Sequence, residues 1–343
     1  MKPLLPAPLV RGDRIGITAP SSGVGPSERG RLDFATHWLR DKGFVVEIGD
    51  CMDGSGHISA PAAERASELM RMLLDPNIRA VIPPWGGETA IDLLSLLDFD
   101  ALAKAEPTWF IGYSDISTLL TPITLRTGWA TVHGSNLMDT PYELPATLAS
   151  WLDVATAAPG AVIRQTPSHR FRNNDHDDWT AHPDVTTHAW NGSGTWRRID
   201  EGSGPVEAEG RLIGGCIETL ANVAGTPFGI TASLRGEFGT EPTIVYVEAS
   251  EDNAFDICRN LHGMKLAGFF DGATAVLIGR TAAPGMPSLS QDDAVMDALG
   301  SLGVPIVADL EFGHVPPQMT MVNGVLARFV HGDSESFLEQ RLG

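Results

Sequence analysis

The segment Thr108-Trp-Phe-Ile-Gly-Tyr-Ser-Asp-Ile-Ser-Thr-Leu-Leu120 joins a strand pattern to a helix pattern across one sharp turn. Its opening residues, 108–112, are apolar and rich in residue types that favour strands. After the turn, apolar residues recur at helical spacing until Gly128 ends the pattern: Ile116, Leu119, Leu120 and Ile123. The sequence therefore predicts a strand, a turn and a helix, with Ser114 at the turn.

Ser114 is a candidate nucleophile because of this position. A residue between a strand and a helix lies near free N–H groups and the positive end of the helix dipole, which favour negative charge. Serines at such turns are the nucleophiles of many hydrolases. The match to the Gly-x-Ser-x-Gly elbow is incomplete, because Ile116 occupies the last glycine position. The alternative is that Ser114 or Asp115 only caps the helix.

Composition limits the classes of function. The chain has 343 residues, of which 43% are hydrophobic and 20% charged, as in a globular protein large enough for two domains. Its net charge is −19 without a basic tract, which argues against partners such as nucleic acids and membranes. The isolated cysteines Cys51, Cys216 and Cys258 suit a reducing compartment. The first residues are too rich in proline for a signal sequence, so we expect a cytoplasmic protein.

The first half of the chain alternates strands with helices. Strands are predicted at residues 14–20, 44–48, 79–83, 108–112 and 131–134, and helices at 26–42, 61–74, 89–97 and after Ser114. This alternation predicts an α/β fold with a doubly wound parallel sheet of the flavodoxin or Rossmann kind. Sites in such sheets gather outside the carboxyl ends of the strands. We therefore expect Pro20-Ser21-Ser22, Gly86-Gly87 and Ser114 at one edge.

A long polar segment separates this half from a second α/β unit. Residues 140–158 have a helical pattern, and residues 160–206 are polar and irregular. Near Gly210 a new alternation begins, with strands at 243–247, 274–278 and 304–308 and helices at 255–264 and 292–302. We predict an N-terminal α/β domain at 1–158, a linker and long loop at 159–206, and a C-terminal α/β domain at 207–343.

A serine nucleophile needs a base, and the base needs an acid that orients it. His314 follows one predicted strand, and Glu248 ends another. The chain order Ser114, Glu248, His314 is permitted for such a triad. Each acid or base also has a simpler explanation: Glu248 could cap a helix together with Glu251, and His314 could be a loop histidine bonded to the backbone. The position of all three residues at strand ends favours the joint interpretation.

An oxyanion site needs backbone N–H groups that point at one oxygen. Gly86-Gly87 can bring the backbone close, and the N–H of Asp115 directly follows the nucleophile. The alternatives for Gly86-Gly87 are a simple tight turn and a phosphate cradle. The chain has no Gly-x-Gly-x-x-Gly or Walker sequence, so those motifs do not support nucleotide binding.

The polar segment carries possible metal ligands and tryptophans. The ligand candidates are His169, His176, His182 and His188 with Asp175, Asp177, Asp178 and Asp184. No His-Glu-x-x-His or Cys/His pairing supports a metal, so we favour a solvated loop and expect no cofactor. Trp179, Trp190 and Trp196 could form an aromatic wall for a ligand or could anchor the loop to its own domain.

Short motifs in a fixed order along nearly the whole chain resemble the serine LD-carboxypeptidases, a family that includes the microcin C immunity peptidases. The amino-terminal motifs are Gly12-Asp13-Arg14-Ile15, Ala19-Pro20-Ser21-Ser22, Glu64-Arg65-Ala66, Asp75-Pro76, Arg79-Ala80-Val81-Ile82, Gly86-Gly87, Gly112-Tyr113-Ser114-Asp115 and His133-Gly134. The carboxy-terminal motifs are Gly210-Arg211-Leu212-Ile213-Gly214-Gly215, Glu248-Ala249-Ser250-Glu251 and Gly313-His314.

The resemblance implies that Ser114 is the nucleophile, His314 the base and Glu248 the orienting acid, with Glu251 as the alternative acid. It also implies an oxyanion site from the backbone of Gly86 and Asp115, and a catalytic site between the two domains. Members of this family are usually cytoplasmic homodimers that need no metal. From the resemblance and the loop we expect substrate contacts from Trp85, Gly87, Glu88, Trp190, Trp196 and Cys216.

Two positions depart from the family pattern. Trp85 replaces an arginine of many carboxypeptidase members, and Cys216 replaces the asparagine expected in the immunity branch. The long segment with its tryptophans looks more similar to that branch. We therefore predict a serine peptidase or amidase that cleaves peptidyl- or aminoacyl-nucleotide amide bonds. The alternatives are a muramoyltetrapeptide LD-carboxypeptidase that releases a terminal D-amino acid in peptidoglycan recycling, an inactive binding protein on the same fold, and a metal-dependent hydrolase.

Overall fold

Five parallel strands and one antiparallel strand form the first sheet of the computed structural model, which describes residues 4–173, 176–230 and 241–343. The parallel strands are β1 (Arg14–Ile17), β2 (Val45–Ile48), β3 (Ile78–Val81), β4 (Trp109–Gly112) and β5 (Thr131–His133). Their spatial order, β5-β4-β3-β1-β2, is that of flavodoxin-like doubly wound sheets. The antiparallel strand, Met321–Asn323, comes from the end of the chain and pairs with β5.

Four helices and two 3₁₀ turns connect these strands. They are α1 (Arg29–Asp41), α2 (Ala62–Leu74), α3 (Phe99–Lys104) and α4 (Ser117–Thr127), with 3₁₀ turns at Ala90–Leu93 and Ser114–Ile116. Every residue of α4 except Arg126 is buried. The reason is that α4 also contacts the second half, where the Thr121 hydroxyl donates to the Gly214 carbonyl at 2.8 Å. The helix that follows Ser114 therefore lies at the junction of the two halves.

The second sheet has eight strands in the order β6-β16-β15-β10-β11-β12-β13-β9, and β10 to β13 run parallel. A separate pair, β7 and β8, is antiparallel. The strands of these two sheets are β6 (Val162–Gln165), β7 (Arg170–Phe171), β8 (Gly192–Ser193), β9 (Arg197–Arg198), β10 (Val206–Cys216), β11 (Thr243–Glu248), β12 (Ala273–Gly279), β13 (Ile306–Leu310), β15 (Leu326–His331) and β16 (Ser336–Arg341). The antiparallel strand of the first sheet, Met321–Asn323, is β14.

The remaining helices of the described residues are α5 (Trp151–Ala155), α6 (Ile217–Ala224), α7 (Ala254–Leu266) and α8 (Gln291–Leu299), followed by a 3₁₀ turn at Gly300–Leu302. Within the described ranges, no helix combines the length and the apolar character that crossing a membrane requires. Two α/β units with parallel strands confirm the predicted fold class.

Several predicted elements differ from the structure. The helix expected at 140–158 is confined to α5, because Pro141 and Pro145 precede it and Ser150 caps it in a capping box with Asp153. The helix expected at 89–97 is a 3₁₀ turn. The segment expected to be irregular at 160–206 contains β6 to β9, and the carboxy-terminal strands β14 to β16 had no prediction.

Asn323 on β14 connects the two sheets through its buried amide. Its Nδ2 donates to the Thr131 hydroxyl at 3.2 Å, and its Oδ1 accepts from the Gly214 N–H at 3.2 Å and the Tyr246 hydroxyl at 2.8 Å. One side chain thus satisfies polar groups of β5, β10 and β11.

We expect Asn323→Leu to lower the free energy of unfolding by about 2–4 kcal/mol, because Gly214 and Tyr246 would keep buried donors without an acceptor. Denaturant unfolding followed by tryptophan fluorescence measures this change. Tyr246→Phe is the matched control, since it removes one partner of the same amide and is expected to cost about 1 kcal/mol. Unchanged stability of the Asn323 variant would contradict the connecting role.

Candidate active site

Ser114 occupies the turn between β4 and α4 in a left-handed backbone conformation with φ of 62°. Residues other than glycine rarely adopt this conformation, which costs about 1–3 kcal/mol and is concentrated at functional sites. The strand–turn–helix predicted around Ser114 is present. The residues that precede the 3₁₀ turn and α4, Tyr113 and Ile116, make no side-chain cap bond.

Gly86 packs directly against Ser114. A Cβ atom on Gly86 would lie 2.9 Å from the Ser114 Cβ, 3.1 Å from its Oγ and 3.2 Å from the Asp115 nitrogen. Any side chain at this position would therefore displace the serine. A Cβ on Gly87 would lie 2.3 Å from the Ser21 hydroxyl and 2.4 Å from the Ser22 hydroxyl, so this glycine is also set by close packing. The glycine loop and the serine turn thus lie together, as predicted for strand ends of one sheet edge.

The side chain of Asp115 holds this loop in place. It is 3% exposed and accepts hydrogen bonds from the Ser21 hydroxyl at 2.6 Å, the Ala90 N–H at 2.8 Å and the Thr118 hydroxyl at 3.2 Å. Its partners come from three different segments of the sheet edge. From the sequence, Asp115 was expected to act through its backbone N–H or as a helix cap, and nothing in the local sequence indicates these long-range partners.

Glu248 and His314 form a hydrogen-bonded pair at the end of the second sheet. The His314 Nδ1 lies 2.8 Å from the Glu248 Oε2, and Glu248 is fully buried. Gly279 and Gly313 make room for the Glu248 side chain, since a Cβ on Gly279 would lie 2.6 Å from the Glu248 Cβ and one on Gly313 would lie 2.6 Å from Oε2. Glu251, the alternative acid, is exposed, and its N–H donates to Glu218.

The electrostatics of the pair favour an ionised acid beside a basic imidazole. Burial by itself raises the pKa of Glu248. The opposite effect of His314 and His133 is larger, and it lowers this pKa to about 2. Burial also lowers the pKa of His314, but the carboxylates of Glu248, Glu218 and Asp139 outweigh burial and raise that pKa above its ordinary value. Glu248 therefore keeps its negative charge across the physiological pH range.

Tyr113 brings the serine turn and the histidine together. Its ring centroid lies 5.1 Å from that of His314, and Tyr113 is the residue before Ser114. Its hydroxyl donates to Asp139 at 3.3 Å, and its N–H donates to the Asn136 side chain at 3.3 Å. Burial is the main cause of the raised pKa of Asp139, which is about 6. Tyr113 thus contacts both halves of the candidate site.

His133 is a site residue that the sequence analysis left without a role. It ends β5, is fully buried, and places its Nε2 3.8 Å from the Glu248 Oε1. Its position at a predicted strand end was the available signal, since the other strand ends of this sheet were already counted as site positions.

The predicted substrate contacts next to the glycine loop have different environments. Trp85 is half-buried, and its Nε1 donates to the carbonyls of Ser22 and Gly23 at 3.1 Å each. Glu88 lies at the surface. Its pKa is raised, first because its carboxyl group loses part of its solvent and then because the Asp115 and Glu251 carboxylates are near.

Cys216 is a buried thiol at the end of β10. Its Sγ donates to Glu218 at 3.1 Å, and its N–H donates to the Ser117 hydroxyl at 3.2 Å. Burial, followed by the Glu248 and Glu218 carboxylates, raises its pKa well above the ordinary value. The thiol is therefore neutral and lies between the two halves.

The tryptophans of the long loop divide into two kinds. Trp196 is 1% exposed, donates its Nε1 to Glu311 at 2.6 Å and stacks on Phe329, so it anchors the loop. The expectation of a substrate contact from Trp196 is corrected accordingly, because its ring lies in the core. Trp179 is bound to the first half, since its Nε1 donates to the Tyr142 hydroxyl at 2.9 Å.

Trp190, in contrast, lies at a cavity. It lines a cleft of about 350 Å³ together with His188, Arg170 and Glu143. His188 lies between the rings of Tyr142, at 4.1 Å, and Trp190, at 5.1 Å. Burial lowers the pKa of His188 to about 4, so this imidazole is neutral at physiological pH. The cleft therefore presents the rings of Trp190 and His188 beside the charged groups of Arg170 and Glu143.

Among the described residues, one group of three side chains could hold a metal ion: Cys258, His262 and Asp297. It lies on α7 and α8 and includes none of the loop histidines. His262 Nε2 is 2.8 Å from Asp297 Oδ1, so the two already pair with each other. Of the predicted loop ligands, Asp175 lies outside the described residues.

An α/β fold with a strained serine turn and a histidine–carboxylate pair is the arrangement of hydrolytic enzymes that attack acyl groups. The model of the LD-carboxypeptidase N-terminal domain matches residues 15–134, and that of the C-terminal domain matches residues 209–329. The chain therefore belongs to the family of LD-carboxypeptidases and microcin self-immunity proteins, as the sequence motifs indicated.

Curated relatives match almost the full chain. A putative carboxypeptidase of Streptomyces coelicolor is 29% identical, over 94% of this chain and 92% of the relative. The microcin C7 self-immunity protein of Escherichia coli is 26% identical, over 94% and 92%. A probable murein peptide carboxypeptidase of Bacillus subtilis is 26% identical, over 97% and 94%.

A solved structure shows the same fold. It is that of the microcin self-immunity protein in complex with glutamyl sulfamoyl guanosine, with a TM-score of 0.82 and 23% identity over 99% of this chain and 98% of that chain.

We expect Gly86→Ala to reduce the reaction rate at Ser114 by about 10²-fold while the protein stays folded, because the new methyl group displaces the serine by a fraction of an ångström or more. The rate of Ser114 labelling by a fluorophosphonate, measured with the thermal unfolding midpoint, tests this. Gly56→Ala is the control, since a Cβ there meets nothing within 4 Å. Equal labelling rates for the two variants would contradict the contact.

Proposed function

We propose that this protein is a serine peptidase or amidase in which Ser114 is the nucleophile, His314 the general base and Glu248 the acid that orients it. The observation that carries the proposal is the 2.8 Å bond between His314 Nδ1 and the buried Glu248, with the ring of Tyr113 packed against the same histidine. A histidine held at Nδ1 by a carboxylate leaves Nε2 available for the serine. The left-handed turn at Ser114 further supports this role.

The proposed reaction has two steps. His314 takes the proton from the Ser114 hydroxyl as its oxygen attacks the carbonyl carbon, and the same histidine then gives that proton to the leaving amine as the C–N bond breaks. Water, activated in the same way, then hydrolyses the acyl-enzyme. The N–H groups of Gly86 and Asp115 hold the oxyanion in both steps. Removal of one such donor typically costs about 10²–10³-fold in rate.

For the substrate, we propose a peptidyl- or aminoacyl-nucleotide with a scissile amide bond. The related self-immunity protein has been solved with glutamyl sulfamoyl guanosine, and this chain has a cleft lined by Trp190 and His188 that could stack on an aromatic base. Trp85, whose indole donates to main-chain carbonyls, offers no positive charge to a free peptide carboxylate.

The second candidate is a muramoyltetrapeptide LD-carboxypeptidase. It is favoured by the similarity to the probable murein peptide carboxypeptidase, which covers 97% of this chain.

A homodimer and a cytoplasmic location are also proposed from the family resemblance. Light scattering in solution tests the dimer.

We expect the wild-type protein to hydrolyse an aminoacyl sulfamoyl adenosine faster than an L,D-tetrapeptide, because of the aromatic cleft. Parallel kcat/KM measurements on both compounds decide between the two substrates. Turnover of the tetrapeptide alone would select the carboxypeptidase. Ser114→Ala should abolish either activity, since it removes the proposed nucleophile, and Ser95→Ala, which changes an exposed serine, is the control.

Two further measurements test the other two classes of function. An inactive binding protein on this fold would leave Ser114 unlabelled by a fluorophosphonate. A metal-dependent hydrolase would lose its activity after chelation, whereas the serine mechanism keeps it.

We expect the rate to fall at acidic pH as His314 becomes protonated, because a general base must be neutral. Because the pKa of His314 is raised, the midpoint of this loss should lie above the ordinary histidine value of 6.5. Glu248, with a pKa of about 2, stays ionised throughout. A pH profile of kcat/KM measures the acid limb. Glu248→Gln removes the charge that raises the pKa of His314, so its acid limb should move to lower pH and its rate should fall. An acid limb that stays in place would remove Glu248 from the proposed role.

A further inference from the structure

Only one oxygen of the Glu248 carboxylate has a hydrogen-bond partner among the described residues. Oε2 pairs with His314, but Oε1 accepts no hydrogen bond although Glu248 is fully buried. A buried anionic oxygen without a partner is costly, and native structures rarely leave one. A polar group that faces Oε1 is therefore required to keep Glu248 ionised in its place.

His133 is the side chain that faces this oxygen. Its Nε2 lies 3.8 Å from Oε1, and neither of its ring nitrogens has a hydrogen-bond partner in the described part of the chain. The rings of Tyr113, Tyr246 and Phe312 surround the imidazole edge-on, with centroids 6.2, 5.5 and 6.4 Å away. Tyr246 is not an alternative partner, because its hydroxyl donates to Asn323 at 2.8 Å.

We propose that His133 is a positioning residue whose Nε2–H holds Oε1 of Glu248, so that Oε2 stays directed at His314. The inference rests on the proposed function, because it makes His133 act on Ser114 only through Glu248 and His314. Hydrogen bonds of catalytic groups are often long in the free protein and shorten when substrate binds, which fits the 3.8 Å separation. The proton stays on His133 throughout, and no bond is formed or broken there.

Two substitutions separate the donor from the ring. His133→Phe keeps an aromatic ring among the three neighbouring rings but removes the donor. His133→Gln removes the ring but keeps an amide N–H near the position of Nε2. If His133 positions Glu248, the Phe variant is the impaired one. If His133 only fills space, the Gln variant is the impaired one.

The readout is the rate of Ser114 labelling by a fluorophosphonate as a function of pH, which needs no known substrate. We expect His133→Phe to label about 10- to 100-fold more slowly, as is typical when a group that orients a functional side chain is lost. Loss of a donor to Glu248 makes the Glu248–His314 pair bind its proton more tightly, so the acid limb should move to higher pH. The other carboxylates that act on His314, Glu218 and Asp139, are unchanged in both variants.

We expect His133→Gln to stay within about threefold of the wild-type rate and to keep its acid limb. Tyr246→Phe is the matched control, since it changes a ring beside His133 without removing a partner of Glu248. A Phe variant with the rate and acid limb of the wild type, or a Gln variant that is the slower of the two, would overturn the proposal.

The two levels of inference fail in different ways. A wild-type protein that is not labelled at Ser114 contradicts the proposed function, whereas wild-type labelling with an unaffected Phe variant contradicts only the role of His133. If the Phe variant does not fold, His133→Asn replaces it, because its shorter amide falls short of Oε1. Labelling of the folded Asn variant at the wild-type rate and pH profile would then overturn the proposal.

Discussion

The burial of the Glu248 carboxylate is the constraint on which the candidate site depends. A charge at a fully buried strand end is unfavourable unless neighbouring groups stabilise it. The glycines at 279 and 313 leave room for the Glu248 side chain, and His314 pairs with its carboxylate. The same pairing fixes the ring of His314 and raises its pKa, so the stabilisation of the acid also produces the basicity of the histidine.

This charge lies where two sheets meet, and the meeting of the sheets is itself closely packed. Gly215 allows the backbone of β10 to approach Ser117, since a Cβ there would lie 2.7 Å from the Ser117 Cβ. Helix α4, which carries Ser117, begins directly after the serine turn. A shift of one half against the other would therefore move Ser114 relative to Glu248. The polar bonds of Asn323 oppose such a shift because they join β5, β10 and β11.

Local sequence patterns predicted the parts of this molecule that local sequence controls. The alternation of strands and helices predicted the parallel strands β1 to β5 and β11 to β13, and strand ends indicated the turn at Ser114 and the positions of Glu248 and His314. The strands β14 to β16 had no prediction, because the pairing of β14 with β5, of β15 with β10 and of β16 with β6 depends on residues far away in the chain. The side-chain contacts of Asp115 and the approach of His133 to Glu248 escaped for the same reason. The local sequence also did not decide the place of Trp196, since a tryptophan in a polar segment can pack in the core as well as line a cleft.

The long loop is also held in place by a buried charge, although its sequence is polar. Arg31 of α1 is fully buried and donates to the main-chain carbonyls of Pro183 at 2.9 Å and Val185 at 2.6 Å. Its guanidinium also lies 5.0 Å from the Trp179 ring.

At the other side of the loop, the Arg172 N–H donates to the Pro316 carbonyl at 2.9 Å, two residues beyond His314. The loop is therefore held by the first half at Pro183 and Val185, and by the turn that carries His314 at Arg172. His188 and Trp190 follow the first of these attachments, and the Asn191 N–H directly after them donates to the Phe171 carbonyl at 3.2 Å, beside Arg172. A polar segment can thus keep a fixed conformation without a hydrophobic core of its own, because buried arginine side chains and main-chain carbonyls hold it in place.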